Sequence, residues 1–108
     1  MAAAADVVDI AWLPDGTFQK TLVVPAGKFA ELCGKLAQGA QVSWSFTADK
    51  PMAFNIHYHV GNVVTYPVRQ DGASKASGTL VAPVGQDYCW MWTNQAAADA
   101  RANVVLKR

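Results

Sequence analysis

The chain has only two histidines, and they lie two residues apart in the segment Phe54-Asn-Ile-His-Tyr-His-Val60. Successive side chains of a β-strand point to opposite faces of the sheet. The alternation of apolar and polar residues here therefore predicts a strand with Asn55, His57 and His59 on one face. Imidazoles two residues apart on a strand stand about 6 to 7 Å apart at Cβ, which is close enough for one metal ion to bind both.

A metal centre needs more ligands than two histidines. Met91 is the best soft candidate because it lies on another alternating segment, with Met52 and Asp49 as alternatives from the turn before the histidines. Thioether and imidazole donors together suit copper better than zinc. One hypothesis is therefore a copper site that uses His57 and His59 with Met91 or Met52.

The second hypothesis is a binding face without a metal. A His-x-His pair also occurs on ordinary polar strand faces, where it contacts solvent or a partner. Under this hypothesis Asn55, His57, His59 and Met91 recognise a protein partner or a small ligand. The sequence leaves both hypotheses open.

Cys33 and Cys89 are the only cysteines of the chain. If they are bonded, the loop they close is long enough for the disulfide to contribute about 4 kcal/mol of stability in the chain-entropy model. The alternative is two buried free thiols, since free cysteine is a common small core residue. A disulfide and a copper-binding Cys89 exclude each other. Trp90 and Trp92 indicate apolar surroundings, which argues against a nucleophilic thiolate.

The sequence offers no catalytic constellation, and we predict that the protein is not an enzyme. No serine lies in a Gly-x-Ser-x-Gly turn, and no Gly-x-x-x-x-Gly-Lys phosphate loop is present. The carboxylates are scattered through turns and termini, so no acid/base pair is indicated.

The chain has 108 residues, 52% of them hydrophobic and 16% charged, with a formal net charge of +1. This composition predicts one folded domain that binds neither nucleic acid nor an anionic membrane surface. No apolar run approaches the roughly 18 residues that a membrane-spanning helix needs.

Short alternating segments separated by turn residues predict an all-β fold, an antiparallel β-sandwich of seven to eight strands that comprises residues 6–108. The predicted strands cover residues 6–12, 21–24, 42–47, 54–60, 63–66, 79–82, 88–93 and 103–106.

Four connecting segments complete this prediction. Residues 28–37 are the only candidate helix, although Gly34 interrupts the pattern and leaves an extended conformation open. Asp49-Lys-Pro51 predicts a turn, and the Gly/Ser-rich residues 69–78 predict a mobile loop. The alanine-rich residues 96–102 favour a helical turn.

Residues 1–5, Met-Ala-Ala-Ala-Ala, are expected to be disordered or introduced by recombinant expression. Small residues of this kind remain after cleavage of a signal peptide. An even pair of cysteines in a small β-domain is compatible with an oxidising compartment. We therefore expect a periplasmic or secreted protein.

Several segments resemble the GOLD (Golgi dynamics) β-sandwich family, which shows a hydrophobic strand, an F-x-I strand, a Gly-x-Tyr-x-x-x-x-Asn strand and a final apolar strand. The matching segments are residues 41–46, 54–57, 78–80, 85–94 and 104–106.

This resemblance covers roughly residues 22 to 106 and implies a jelly-roll-like, non-catalytic, extracytoplasmic recognition or packing module. In cargo receptors of that family, a cysteine near the start of the domain pairs with one in the tyrosine-containing strand, which implies a Cys33–Cys89 disulfide. The sequence shows no transmembrane helix, coiled coil or sorting tail, and the His-Tyr-His run departs from the receptors' pattern. Cargo-receptor activity is therefore not implied.

Overall fold

The computed structural model describes residues 3–108, with side chains from Asp6 onward, and these residues form an all-β fold of seven strands. The strands are β1 (Ala3–Asp9), β2 (Thr17–Val24), β3 (Lys28–Leu36), β4 (Gln41–Val60), β5 (Val63–Val81), β6 (Gln86–Thr93) and β7 (Ala100–Lys107). Among residues 3–108 no helix is long and apolar enough to cross a membrane.

The strands form one hydrogen-bonded sheet in the order β1-β3-β6-β4-β7-β2, and β5 pairs with β4. Strand β4 joins two layers, because residues 43–48 pair with β7 whereas residues 53–58 pair with β6. Strand β5 accompanies β4 through both layers. The sandwich prediction is therefore confirmed, in the form of a single sheet folded over its own core. All pairings are antiparallel except that of β1 with β3, which is parallel.

Aromatic side chains fill the space between the layers. The ring of Phe46, from the first half of β4, lies 4.8 Å from that of Phe54 in the second half and 5.4 Å from that of Trp92 on β6. Trp44 and Phe54 are 5.1 Å apart. Trp90 and Trp92 are fully buried. Large rings at alternate strand positions thus hold the two halves of β4 together, as the period-two pattern predicts.

Two polar side chains fix the loops at the ends of β6. The Tyr88 hydroxyl donates to the carbonyl of Val84 at 2.6 Å. The buried Asn94 amide donates to the carbonyls of Val24 and Ala98 at 2.9 and 2.8 Å, and its oxygen accepts from the Ala96 N–H at 3.0 Å. Tyr88 and Asn94, which belong to a segment that resembles the GOLD family, therefore have structural roles.

Two of the predicted connections are instead parts of strands. Residues 28–37 are not helical, because β3 alternates Ala30 and Leu32 inward against Glu31 and Cys33. Asp49-Lys-Pro51 is not a turn but the middle of β4, where the register with β5 shifts between Thr47 and Met52. Shifts of this kind bend a strand, and here the bend carries β4 from one layer to the other.

The connection before β7 and the start of the domain also differ from the prediction. Residues 96–98 form bends rather than a helical turn, and β7 begins at Ala100. Ala3 and Ala4 pair with Lys28 and Phe29 in β1, so the domain begins before residue 6. Residues 1 and 2 of the predicted disordered segment lie outside the described residues.

The Gly/Ser-rich residues 69–78 are not a loop but the middle of β5. Near the end of this segment, Gly78 lies directly opposite the buried Trp44 across β5 and β4. A Cβ atom at Gly78 would lie 2.9 Å from Cζ2 of the Trp44 indole. Glycine is therefore the residue that lets the indole ring lie flat over the neighbouring strand.

We predict that Gly78→Ala destabilises the protein by about 1–3 kcal/mol, the usual cost of overpacking a core. Urea unfolding followed by tryptophan fluorescence measures this loss. The matched control is Gly72→Ala, which has open space around the new methyl group and a positive φ of 68°. The destabilisation of Gly72→Ala should come from backbone strain alone. This variant should leave the near-ultraviolet circular dichroism of Trp44 unchanged. An unperturbed tryptophan spectrum in Gly78→Ala would contradict the packing argument.

Candidate functional site

Outward-facing side chains of β3, β6, β4 and β5 form one continuous surface, which we call the histidine face. It consists of Glu31, Cys33, Asn55, His57, His59, Tyr66, Arg69, Cys89 and Met91. The strand register sets its layout, because Cys33 lies opposite Cys89 and Cys89 lies opposite His57. Side chains at directly opposed positions of antiparallel strands lie next to each other on the same face. The strand pairing thus places both histidines and Met91 on one face, as the alternation of the sequence predicts.

His57 is held in one orientation. Its side chain is only 9% exposed, and Nδ1 lies 2.7 Å from Oδ1 of Asn55. An amide oxygen only accepts hydrogen bonds, so Nδ1 is the donor and carries the proton in the neutral ring. The other nitrogen, Nε2, therefore presents its lone pair, and it lies 3.7 Å from Oε2 of Glu31.

Burial acts on both members of the Glu31–His57 contact. It lowers the pKa of His57 below its usual value, and repulsion from His59 lowers it further. Burial also raises the pKa of Glu31, which attraction to His59 partly offsets. Both groups are thus shifted toward their neutral forms. The distance between Glu31 and His57 is short enough for an ion pair. Burial disfavours the charged form of both groups, so the ion pair is weak.

The rest of the face is aromatic and more exposed. His59 is exposed, with its ring centroid 5.3 Å from that of His57 in an edge-on arrangement. The Tyr66 ring lies 5.8 Å from His57, and the Arg69 guanidinium lies over Tyr66 at 4.8 Å from its centroid. These contacts join the histidines of β4 to the exposed edge strand β5.

Cys33 and Cys89 form a disulfide in the structure, which confirms the predicted pairing. Their Cα atoms lie 4.1 Å apart, slightly closer than in most disulfides, as for a directly opposed pair in adjacent strands. Both residues are half-buried on the histidine face. While this bond is present, Cys89 is not available as a copper ligand.

The structure corrects two candidate metal ligands. Met52 is 2% exposed and packs in the core, on the sheet face opposite His57, so it cannot join a site with the histidines. The carboxylate of Asp49 accepts a hydrogen bond from the backbone N–H of Arg101 on β7, at 2.8 Å. Asp49 therefore contacts the layer that contains β7 and not the histidine face. Met91 is half-buried on the histidine face, opposite Asn55, and remains a candidate.

Sequence reasoning missed Glu31, Tyr66 and Arg69. Glu31 belongs to the segment with apparent helical spacing, which hid the strand alternation that sets it beside Cys33. Tyr66 and Arg69 reach the face because the pairing of β4 with β5 shifts between Ile56 and Tyr58. A register shift leaves no mark in the sequence of one strand alone.

We predict that His57 makes the metal-free protein sensitive to acid. Because its pKa is lower in the folded chain than the usual 6.5, its contribution to stability is full above pH 6.5 and is lost as the pH falls through the folded value. Glu31 acts in the opposite direction, since a raised carboxyl pKa favours the folded state at acid pH. In a Glu31→Gln background, urea unfolding at about pH 7.5 and about pH 5.5 should show a loss that His57→Gln abolishes. An NMR titration that gave His57 a pKa of 6.5 or above would contradict this.

We also predict that the disulfide carries a large part of the stability. The double variant Cys33→Ser/Cys89→Ser should lose about 4 kcal/mol, because the unfolded chain regains the entropy of a long open loop. Its Tm should fall by more than about 10 °C. Thiol titration of the unfolded, unreduced protein should find no free sulfhydryl, and two reactive thiols would refute the pairing. Lys35→Ser, on an exposed position of β3, controls for substitution on the same strand.

Comparison with protein-family models finds no match, and comparison with curated proteins finds none either. Solved structures are similar in fold. PliG of Aeromonas hydrophila, a periplasmic inhibitor of g-type lysozyme, shares 13% identity and a TM-score of 0.69, over 95% of this chain and 98% of that chain. The pre-peptidase C-terminal domain of Bacillus anthracis collagenase shares 13% identity and a TM-score of 0.60, over 99% and 98%.

A third similar structure is CorA of Methylomicrobium album BG8, a surface-associated copper-binding protein, with 10% identity, a TM-score of 0.61 and coverage of 96% and 98%. At such low identities these similarities establish the fold of the chain and nothing more. None of the three is described as a GOLD domain, so that resemblance remains a prediction.

Proposed function

We propose that the protein is a small, extracytoplasmic, non-catalytic binding module that recognises a protein partner through the histidine face. The observation that carries the proposal is the contiguous group of Arg69, Tyr66, His57 and His59 on the outer surface of the sheet. Tyrosine and arginine are the residue types that most often dominate the binding energy of protein interfaces.

The shape of the face favours a protein over a small ligand. Small-molecule sites are concave and enclose most of the ligand. Open depressions in the described surface lie between β2 and β7 and beside the disulfide, and neither is lined by His57 or His59. The part of the face around Tyr66 and Arg69 instead presents aromatic and cationic side chains on the outer surface of the sheet, which suits contact with another protein.

Apolar side chains extend the face at both sides. Val64, opposite His59 on β5, is 36% exposed, and Val7, opposite Glu31 on β1, is 56% exposed. Tyr66 is itself 43% exposed. A partner that covers these side chains removes apolar surface from water, which supplies the non-directional part of the binding energy.

The location outside the cytoplasm is supported by the disulfide, because such bonds persist in oxidising compartments. PliG, a protein of similar fold, is a periplasmic inhibitor that acts on another protein. The fold thus accommodates recognition of a protein without catalysis by the domain itself.

We predict that the triple variant His59→Ala/Tyr66→Ala/Arg69→Ala binds its protein partner with much lower affinity. Each interface hot spot contributes about 2 kcal/mol or more, so affinity should fall by at least about 30-fold. A photo-crosslinking phenylalanine analogue at Tyr66, used in the envelope fraction of the source organism, should trap one discrete protein.

The same crosslinker at Val105, an exposed residue on the outer surface of the other layer, is the control and should trap none. The matched control variant is Gln19→Ala/Val105→Ala/Lys107→Ala on that layer, which should retain the partner. Equal crosslinking from both positions, or equal loss in both triple variants, would contradict the proposal.

A second candidate function is copper binding by the oxidised protein through His57, His59 and Met91. The observation in its favour is the Asn55 hydrogen bond, which leaves Nε2 of His57 free to bind a metal. CorA, of similar fold, binds copper. Calorimetric titration of the oxidised protein with Cu(I) and Cu(II) tests it against His57→Ala/His59→Ala. Binding weaker than micromolar, or equal binding by the double variant, would exclude this function.

A further inference from the structure

Three potential metal ligands converge at the centre of the histidine face, and a fourth contacts one of them. The three are the only glutamate of the chain and its only two cysteines, and the fourth is His57. The ligand atoms of Glu31, Cys33 and Cys89 all lie within 4.8 Å of one another. Nε2 of His57 lies 3.7 Å from Oε2 of Glu31. In the oxidised protein the two sulfur atoms are bonded to each other and do not serve as ligands.

The sheet positions these four groups independently of the disulfide. Glu31 and Cys33 are two residues apart on β3, Cys89 lies opposite Cys33 on β6, and His57 lies opposite Cys89 on β4. Strand β6 pairs with β3 over residues 86–93 and with β4 over residues 88–93. Breaking the sulfur–sulfur bond removes none of these backbone hydrogen bonds, so the side chains remain together.

We propose that reduction of the Cys33–Cys89 disulfide creates a tetrahedral Zn²⁺ site with Cys33, Cys89, His57 and Glu31 as ligands. A protein dithiol supplies two electrons and two protons, becomes a disulfide itself, and leaves two thiols here. Zn²⁺ then displaces both thiol protons to solvent and binds the thiolates, Nε2 of His57 and a carboxylate oxygen of Glu31.

The donor set fits this ion, and so does the spacing between Glu31 and His57. Zinc binds thiolate at about 2.3 Å and imidazole or carboxylate at about 2.0–2.2 Å, which places neighbouring ligand atoms of a tetrahedron about 3.3–3.8 Å apart. The His57–Glu31 distance of 3.7 Å lies in that range. Two thiolates and one imidazole are soft to borderline donors that favour Zn²⁺ over Mg²⁺ or Ca²⁺, and Zn²⁺ also accepts a single carboxylate.

Asn55 acts as a positioning residue for this site. Its hydrogen bond to Nδ1 of His57 fixes the ring and the tautomer that leaves Nε2 unprotonated. Metal-binding histidines usually have such a partner on the second nitrogen. The lowered pKa of His57 acts in the same sense, because a proton on Nε2 competes with the metal.

The site therefore connects metal binding to the redox state. With the disulfide closed, the cluster offers only Glu31 and His57, so Zn²⁺ should bind at least about 100-fold more weakly than in the reduced protein. This inference is independent of the proposed partner binding, which uses the oxidised protein and the more exposed residues of the face.

The test uses Co²⁺ as a spectroscopic probe and Zn²⁺ as its competitor, on the full chain reduced with a phosphine and on the oxidised chain. The reduced protein should bind one Co²⁺, with thiolate-to-cobalt charge-transfer bands and the strong visible bands of tetrahedral coordination. Zn²⁺ should displace the cobalt and raise the Tm of the reduced protein. The oxidised protein should show no charge-transfer band.

Variants assign the four ligands. Cys33→Ser/Cys89→Ser should lose the charge-transfer bands, and Glu31→Gln or His57→Gln should weaken Zn²⁺ binding at least about 10-fold. Asp71→Asn, an exposed carboxylate on β5, is the control and should bind Zn²⁺ like the parent chain.

Three results would overturn the proposal. The first is equal Zn²⁺ binding by oxidised and reduced protein, and the second is thiolate–cobalt binding that survives both Glu31→Gln and His57→Gln unchanged. The third is a reduced protein that is unfolded and that Zn²⁺ does not refold, because a genuine site would couple metal binding to folding. Loss of partner binding in the earlier crosslinking experiment has no bearing on these outcomes.

Discussion

The pairing of β6 between β3 and β4 is the constraint on which the rest of the molecule depends. Its register aligns Cys33, Cys89 and His57 in one row across three strands. The same register places Trp90 opposite Leu32 and Ile56 on the inner face, where all three are fully buried. A shift of one residue would exchange the two faces of β6, because side chains alternate. Packing of the buried Trp90 and Trp92 therefore fixes the position of Cys89 and of its neighbours on the histidine face.

Much of this arrangement is predictable from alternation alone. The segment around His57 and the segment around Trp90 each have one apolar and one polar or mixed face, and the structure places them as neighbours with the faces as expected. The Cys33–Cys89 pair is also formed. Period-two patterns are informative here because both segments lie in the middle of the sheet, where burial of one face leaves a single stable orientation.

The remaining features depend on partners that are distant in sequence. Nothing within residues 69–78 marks them as a strand, and the need for glycine at position 78 becomes clear only when Trp44 is known to lie opposite it. Glu31 was not predicted as a site residue for a related reason. The spacing of Phe29, Leu32 and Leu36 suggests a helix, and only the pairing of this segment with β6 makes it a strand. The bend in β4 near Asp49 likewise follows from pairing with different strands on its two halves. Tertiary context decides each of these cases against local propensity.

The two faces of β6 have different roles in the structure. Trp90 and Trp92 point inward, and their indole nitrogens have no hydrogen-bond partner among the described residues, so this side of the strand is committed to apolar packing. Cys89 and Met91 point outward and make no contribution to that core. Oxidation, reduction or ligand binding at the outer face therefore changes side chains without repacking the interior. A rigid sheet with a dense aromatic interior is suited to presenting both an interface and a convergent ligand cluster, because backbone hydrogen bonds fix the spacing of each side chain.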